Sequence, residues 1–177
     1  MNDSKKAVIL VGHGGLPSDI PSEMVEKFMR VHKGRIKAGG PISQQEVELD
    51  TTIRNWERTP ENDPYKSGLE SLASHMETML KGYVLKTAYN EFCYPAIEDA
   101  VAELANENVS KIIIVTTMIT RGGSHSENEI PEELVALSSK YTNIDIQYAW
   151  PFSIEAFALF LTTHIKGFDP LQAVNPN

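Results

Sequence analysis

The sequence predicts an α/β protein built on a parallel four-stranded sheet with helices on both faces. Short apolar runs alternate with amphipathic segments from residue 7 onward, which is the pattern of strands joined by crossover helices. The runs are apolar almost throughout, as expected of strands that are covered on both faces. The 177 residues are 41% hydrophobic and 23% charged, which is typical of one globular domain. We therefore predict a single domain over residues 1–177.

The first half of the sheet begins with a short apolar strand at residues 7–11, which ends in a glycine-rich turn. Residues 69–80 place apolar side chains three or four positions apart, which predicts a helix. Gly82 is suited to end that helix in the left-handed conformation. Residues 83–89 form the second predicted strand. A helix follows over residues 95–106, because a proline occupies its first turn and its apolar residues share one face.

The second half continues the same alternation. Residues 111–119 are the most β-branched strand of the chain. A helix is predicted over residues 130–140, where acidic side chains crowd the N-terminal end and suit the helix dipole. Residues 143–149 form the fourth predicted strand and residues 153–165 the last helix. The tail after Gly167 is predicted to be irregular.

One long segment, residues 16–67, interrupts this alternation and divides the predicted core into residues 5–15 and about 68–165. A loop of this length inside a compact domain is usually functional or disordered. Its first part has apolar and basic residues on opposite sides of a helical wheel, as at Phe28 and Lys33. We expect a helical insertion that forms an ordered lid or pocket wall, and plain disorder is the alternative.

The charge distribution limits the possible partners. A net charge of -8 argues against a nucleic-acid partner, since phosphate backbones are bound by surfaces rich in lysine and arginine. Residues 27–37 nevertheless contain five basic residues and no acidic one. This basic stretch could receive an acidic small molecule.

Membrane and secretory features are not predicted. No apolar run approaches the roughly 20 residues that span a bilayer. The polar N-terminus leads directly into the first strand without a secretory signal. The single cysteine, Cys93, cannot form an internal disulfide. Together these features predict a cytoplasmic protein with no membrane partner.

Three polar side chains follow three successive predicted strands. His13 follows the first strand, Glu91 the second and His125 the third. Because the carboxyl ends of parallel strands open into one crevice, we expect these side chains to converge. Two imidazoles and a carboxylate suit cobalt, iron, nickel or zinc better than magnesium or calcium. Alternatively, each histidine only binds backbone in a turn, and Glu91 only lies in solvent at a strand end.

Glycines flank both histidines, and they allow a bulky planar ligand to approach the backbone. The glycines predicted to contact substrate are Gly12, Gly14, Gly15, Gly122 and Gly123.

Other candidate residues have simpler interpretations. His32 is assigned to a solvated helix face in preference to a ligand contact, and His75 and His164 to surface or packing positions. Cys93 is interpreted as a small buried hydrophobe. Glu129 can be explained as a charge at a helix N-terminus.

Three motifs resemble, in order, those of the small sirohydrochlorin chelatases, which are class II tetrapyrrole chelatases of the cobalamin and sirohaem pathways. They are AVILVGHG at 7–14, EFCYPAI at 91–97 and GGSHSENEIP at 122–131. The resemblance covers residues 5–15 and about 68–165. It implies a flavodoxin-like chelatase domain that inserts cobalt(II) or iron(II) into a reduced tetrapyrrole without ATP.

The resemblance also implies roles for particular residues. The family's metal-binding histidines fall on His13 and His125, and its acidic residue before a proline falls on Glu91. The divalent metal, which is cobalt, iron or nickel, is a substrate, and no tightly bound cofactor is expected. Carboxylates of the tetrapyrrole would need donors, for which Arg30 and Lys33 in the basic stretch are candidates together with Arg121 and the glycine-loop amides.

The resemblance further implies a homodimer. The insertion is absent from the shortest family members, and it occupies the place where protoporphyrin ferrochelatases have a longer lip. The resemblance implies sirohydrochlorin or a related carboxylate-rich tetrapyrrole as the substrate, and the insertion leaves that choice open. The alternatives are a noncatalytic metal or tetrapyrrole carrier and a protoporphyrin-type ferrochelatase.

Overall fold

The computed structural model describes residues 5–168, and it contains one four-stranded parallel sheet in the order β2-β1-β3-β4. The strands are β1 (Lys5–Gly12), β2 (Tyr83–Tyr89), β3 (Val109–Thr116) and β4 (Asp145–Tyr148). Every neighbouring pair of strands is parallel, with β1 at the centre between β2 and β3. The predicted fold class is confirmed. The predicted irregular tail lies outside the described residues beyond residue 168.

Six α-helices and one π-helical turn connect and flank the strands. The helices are α1 (Ser22–Ala38), α2 (Gln44–Arg54), α3 (Pro64–Met79), α4 (Ile97–Asn106), α5 (Ile130–Lys140) and α6 (Ile154–Lys166). The π-helical turn, His125–Glu129, leads directly into α5. No helix among residues 5–168 combines the length and apolar character that crossing a lipid bilayer demands.

The sheet has helices on both faces, as predicted. The larger core lies under α4 and α5, where alternate β1 residues such as Ile9 and Val11 are fully buried. The smaller core lies under α3, where Leu10, Tyr89 and Cys93 are buried. Because β1 is buried on both sides, the loop that follows it starts from a rigid position.

The insertion is ordered, so disorder is the wrong alternative for this segment. Its helices α1 and α2 pack as a pair. Buried Glu46 on α2 accepts hydrogen bonds from Arg35 Nε at 2.8 Å and lies 2.8 Å from His32 Nδ1, both on α1. The third helix begins at Pro64, inside the segment assigned to the insertion, because the Asp63 side chain caps it by accepting from the Lys66 amide.

Local hydrogen bonds explain two departures from the predicted elements. Strand β3 ends at Thr116 rather than residue 119, because the Thr116 hydroxyl accepts a hydrogen bond from the Met118 amide at 3.1 Å and turns the chain. The π-helical turn was not predicted. It contains the i+5 hydrogen bond from the Ile130 amide to the His125 carbonyl, a register that side-chain periodicity does not reveal.

Candidate active site

Hydrogen bonds between two strand-end loops fix the first part of the site. The amide of Asn90 donates to the Gly12 carbonyl at 2.9 Å, and the amide of Glu91 donates to the His13 carbonyl at 2.8 Å. Gly14 adopts φ +96°, and a Cβ at this position would lie 1.8 Å from the Glu91 carbonyl oxygen. The close approach of the two loops therefore requires glycine at residue 14.

The structure brings together the three residues that the sequence predicts to converge. One ligand atom from each of His13, Glu91 and His125 lies within 4.8 Å of the other two, and all three residues are half-buried. The imidazole rings meet edge to face, with centroids 4.9 Å apart. The distance from His13 Nε2 to Glu91 Oε2 is 3.7 Å, which is too long for a hydrogen bond. Ligands about 2.1 Å from one ion lie roughly 3–4 Å apart, so the three atoms need only small movements to share a metal.

Hydrogen bonds orient both imidazoles with the same nitrogen toward the shared site. His13 Nδ1 lies 2.8 Å from the Gly14 carbonyl oxygen, and His125 Nδ1 lies 2.8 Å from Glu129 Oε2. The Gly14 carbonyl can only accept, so His13 Nδ1 carries the proton and His13 Nε2 presents its lone pair. The tautomer of His125 that donates from Nδ1 to the Glu129 carboxylate leaves its Nε2 free in the same way. Metal-binding histidines commonly have this outer hydrogen bond, which fixes the tautomer and the ring orientation.

Glu129 and Asn90 support His125. Burial acts to raise the pKa of Glu129, but hydrogen bonds and charge from His125, with further hydrogen bonds from Asn90 and Ser124, hold that pKa below its ordinary value. The Asn90 amide lies 2.9 Å from His125 Nδ1. The role of Asn90 was missed, and Glu129 was interpreted only as a helix charge. The one sequence signal is the four-residue spacing of His125 and Glu129, which places them on adjacent turns.

Two arginines from the insertion hold the loop that carries Glu91. Arg58 is buried, pairs with Asp63, and donates to the carbonyls of Phe92 and of Gly15, the latter at 2.8 Å. Arg54 donates to the carbonyl of Asn90 at 3.2 Å, and also to that of Cys93. Sequence reasoning missed both arginines, because backbone carbonyl partners leave no side-chain pattern.

A pocket of about 500 Å³ opens beside Glu91, and neither imidazole of the three-residue cluster belongs to its lining. It lies between the helix pair α1–α2 and the loop at residues 90–92, and Glu91 and Glu129 form part of its lining. Apolar side chains, Phe28 and Phe92 among them, line it next to polar groups. Ligand pockets in proteins are typically about 300–1,000 Å³, mostly apolar, with a few placed polar groups.

Most positive charge in this lining is already paired. Arg35 binds Glu46, whose pKa is lowered chiefly by the hydrogen bond from Arg35. Arg54 binds Asp50 at 2.8 Å. Lys33 also lines the pocket, and within residues 5–168 it has no carboxylate partner. Lys33 is therefore the lining cation available to an acidic ligand.

The other predicted substrate contacts do not line this pocket. Arg30 is exposed on α1 and does not line it. Arg121 is exposed and lies 3.3 Å from Glu127. Gly122, at φ +86°, and Gly123 belong to the loop that leads into His125.

Two interpretations of the remaining candidates have clear outcomes. His32 does not face solvent: it is half-buried at the pocket because Glu46, distant in sequence, comes to bind it. Cys93 is confirmed as a buried hydrophobe, and burial raises the pKa of its thiol.

The sequence resembles a known protein family. A statistical model of the CbiX family matches residues 61–161, which is more than half of the chain. The chain belongs to the CbiX family. The match includes Glu91 and His125, while His13 precedes it.

Individual relatives share less than a third of their aligned residues with this chain. The chain is 29% identical over 72 residues to the sirohydrochlorin cobaltochelatase of Methanopyrus kandleri (strain AV19), which is 40% of this chain and half of that enzyme's length. A Marinobacter aquaeolei VT8 protein assigned to the CbiX group of cobalamin (vitamin B12) biosynthesis covers 92% of this chain and 95% of its own, at 15% identity and a TM-score of 0.56. That likeness establishes a shared fold.

A weaker likeness is to the sirohydrochlorin chelatase SirB of Bacillus subtilis subspecies spizizenii in complex with cobalt. It covers 83% of this chain and 43% of that chain, at 19% identity and a TM-score of 0.48.

Proposed function

We propose that this CbiX-family chain is a lyase that inserts cobalt or iron into sirohydrochlorin or a related carboxylate-rich tetrapyrrole without ATP. One observation carries the proposal: His13, Glu91 and His125 present three ligand atoms within 4.8 Å of one another, and Glu91 also lines a pocket. The alignment with the Methanopyrus cobaltochelatase, although it covers half of that enzyme, supports the same reaction class.

The two histidines deliver the metal. His13 and His125 coordinate a divalent first-row ion through Nε2, and water completes its coordination shell. Two neutral imidazoles bind such an ion reversibly, while four macrocycle nitrogens bind it far more firmly. The ion therefore leaves the protein for the tetrapyrrole as its bonds to water and histidine are replaced one by one.

Glu91 accepts a proton. Insertion forms metal–nitrogen bonds while two pyrrole N–H bonds break, so two protons leave for each divalent ion that enters. The Glu91 carboxylate takes up one proton beside the metal and passes it to solvent, and water accepts the other. A positioned proton acceptor typically contributes about 10² to 10⁴ in rate.

The pocket beside Glu91 receives the macrocycle. Phe28 and Phe92 offer apolar contact to its face, and Lys33 binds a peripheral carboxylate. Amides of the glycine-rich loops, Gly12 to Gly15 and Gly122 to Gly123, approach the ring edge. Arg30 and Arg121 bind carboxylates that project beyond the pocket.

We further propose a single catalytic domain over residues 1–177, with the helix pair α1–α2 as part of its pocket, acting as a homodimer in the cytoplasm. The buried free thiol of Cys93 suits a reducing compartment. The net charge of -8 argues against nucleic acid as a partner.

A spectroscopic insertion assay tests the proposal. Sirohydrochlorin and protoporphyrin are each offered with cobalt(II), iron(II) and nickel(II). We expect turnover with sirohydrochlorin and with cobalt or iron. Turnover with protoporphyrin but not with sirohydrochlorin would indicate a protoporphyrin-type ferrochelatase. No turnover above the spontaneous rate with any pair of tetrapyrrole and metal would favour a carrier.

Glu91→Gln separates an enzyme from a carrier. The variant keeps the side-chain size but loses the proton acceptor. We therefore expect the rate of metal insertion to fall about 10²- to 10⁴-fold while the macrocycle still binds. Glu132→Gln, in the first turn of α5, is the matched control and should insert at the wild-type rate. Unchanged insertion by Glu91→Gln would remove Glu91 from proton transfer.

A further inference from the structure

The last helix carries an apolar stripe that its own chain leaves uncovered. Ile154, Phe157, Leu161 and Ile165 recur three or four residues apart on one side of α6, and Phe168 continues the stripe beyond the helix. The opposite side is mixed: it carries threonine, glutamate and lysine side chains together with Leu159. No residue of α6 is buried, and Ile165 is 63% exposed. A helix with such a stripe is stable in water only when another surface covers it.

The helix is separate from the body of the fold. Helix α6 does not pack closely against any helix or strand of residues 5–168. The side-chain and capping hydrogen bonds of residues 153–168 stay within that segment. Its aromatic contacts are also internal, with Phe160 stacked between Phe157 and His164.

The same chain has an apolar groove of about 480 Å³ between α5 and the edge strand β4. Its lining includes Pro131, Leu134, Val135 and Ser138 from α5 and Ile146 and Tyr148 from β4. These α5 residues again recur three or four positions apart, and Val135 is 69% exposed. Pro131 to Ser138 extend about 11 Å along α5 and Ile154 to Ile165 about 17 Å along α6, so the groove is long enough for about two of the three turns of the stripe.

We propose that α6 of each copy lies in the α5–β4 groove of a second copy, so that the chain forms a helix-exchanged homodimer. This inference rests on the homodimer proposed above, and it does not depend on the metal chemistry.

Helix α6 lies outside the groove of its own chain, which leaves that groove open to another copy. Trp150 stacks on Tyr148 with centroids 6.2 Å apart, and Phe152 meets Trp150 edge to face at 5.7 Å. Tyr148 is itself anchored, because its hydroxyl donates to the Ser126 carbonyl at 3.0 Å. These contacts fix the connector in the arrangement that leaves α6 outside the groove, whose lining contains no α6 residue.

The area involved is sufficient for a stable dimer. Each buried aromatic side chain removes about 150–250 Å² from water, and each stripe contains two phenylalanines in addition to its aliphatic residues. Two stripes in two grooves would bury on the order of 1,500–2,000 Å², which lies within the roughly 1,200–2,000 Å² of standard interfaces.

Light scattering coupled to size-exclusion chromatography tests the interface on the full chain. We expect wild type to have twice the chain mass. Ile165→Glu on the stripe and Val135→Glu in the groove should each give monomer, since either change places a charge in the apolar contact. Leu159→Glu is the matched control, because Leu159 is 68% exposed on the opposite side of α6, and it should remain dimeric.

Disulfide trapping identifies which copy fills the groove. Val135→Cys and Ile165→Cys, each made in a separate chain and mixed with the oxidant diamide, should form a disulfide between chains. Cys93 is buried, so wild type should give no such product. A disulfide only within a chain that carries both substitutions would overturn the exchange.

The remaining outcomes separate the interface from the homodimer itself. A dimer that persists in both glutamate variants would overturn the proposed surface but leave the homodimer. A monomeric wild type at micromolar concentration would overturn both, and neither result would bear on metal insertion.

Discussion

Gly14 shows how one residue positions the metal ligands. Its left-handed backbone and missing Cβ let the loop after β1 contact the loop after β2, where Glu91 donates its amide to the His13 carbonyl. Two ligands on separate strands are thereby fixed before any metal binds. Preorganised ligands of this kind lose little entropy on coordination.

Gly14→Ala should weaken cobalt binding and destabilise the fold. The added Cβ would lie 1.8 Å from the Glu91 carbonyl and would also strain the backbone at φ +96°. Backbone strain alone costs about 1–3 kcal/mol in the free energy of unfolding. Cobalt(II) titration and urea unfolding measure the two effects.

Gly34→Ala is the matched control for that change. Gly34 lies within α1 with nothing within 4 Å of an added Cβ. It should bind cobalt like wild type and gain up to about 1 kcal/mol in stability. Equal cobalt affinity in Gly14→Ala and wild type would contradict the positioning role of Gly14.

The helix pair α1–α2 depends on one buried carboxylate. Glu46 is 3% exposed and binds both Arg35 and His32. The hydrogen bond from Arg35 lowers the pKa of Glu46 more than burial raises it. The ionised form is therefore the form that the folded helix pair favours.

Glu46→Gln should destabilise the chain in a pH-dependent way. Because the folded pKa of Glu46 is lowered, its contribution is complete above the ordinary glutamate pKa and is lost as pH falls through the folded value. We expect the free energy of unfolding to drop by about 1–3 kcal/mol near neutral pH, with the difference shrinking in acid.

Urea unfolding from about pH 7 to pH 3 measures this dependence. Glu48→Gln, on the exposed side of α2, is the control and should change stability little at any pH. A destabilisation by Glu46→Gln that stays constant over the whole range would show that Glu46 contributes by packing and not by its charge.

Across the whole molecule, periodicity predicted the sheet and its helices well, because buried strands and amphipathic helices have distinct repeats. Strand-end position also predicted that His13, Glu91 and His125 converge. Parallel strands make this inference possible, since their carboxyl ends share one edge whatever the distance along the chain.

Contacts between distant segments could not be predicted. Arg54 and Arg58 bind backbone carbonyls, which every residue has, so no residue pattern marks the partner. His32 pairs with Glu46 only because α1 and α2 pack together. The uncovered face of α6 was equally hidden, since its periodicity is that of any helix packed on a sheet.

Cobalt insertion into sirohydrochlorin by single histidine variants tests the central claim most directly. His13→Ala and His125→Ala should each lose more than the roughly 10–100-fold that an outer-shell partner is worth, with wild-type unfolding midpoints. His75→Ala, on the exposed surface of α3, should insert cobalt at the wild-type rate. Near-wild-type insertion by either His13→Ala or His125→Ala would contradict a metal site shared by the two imidazoles.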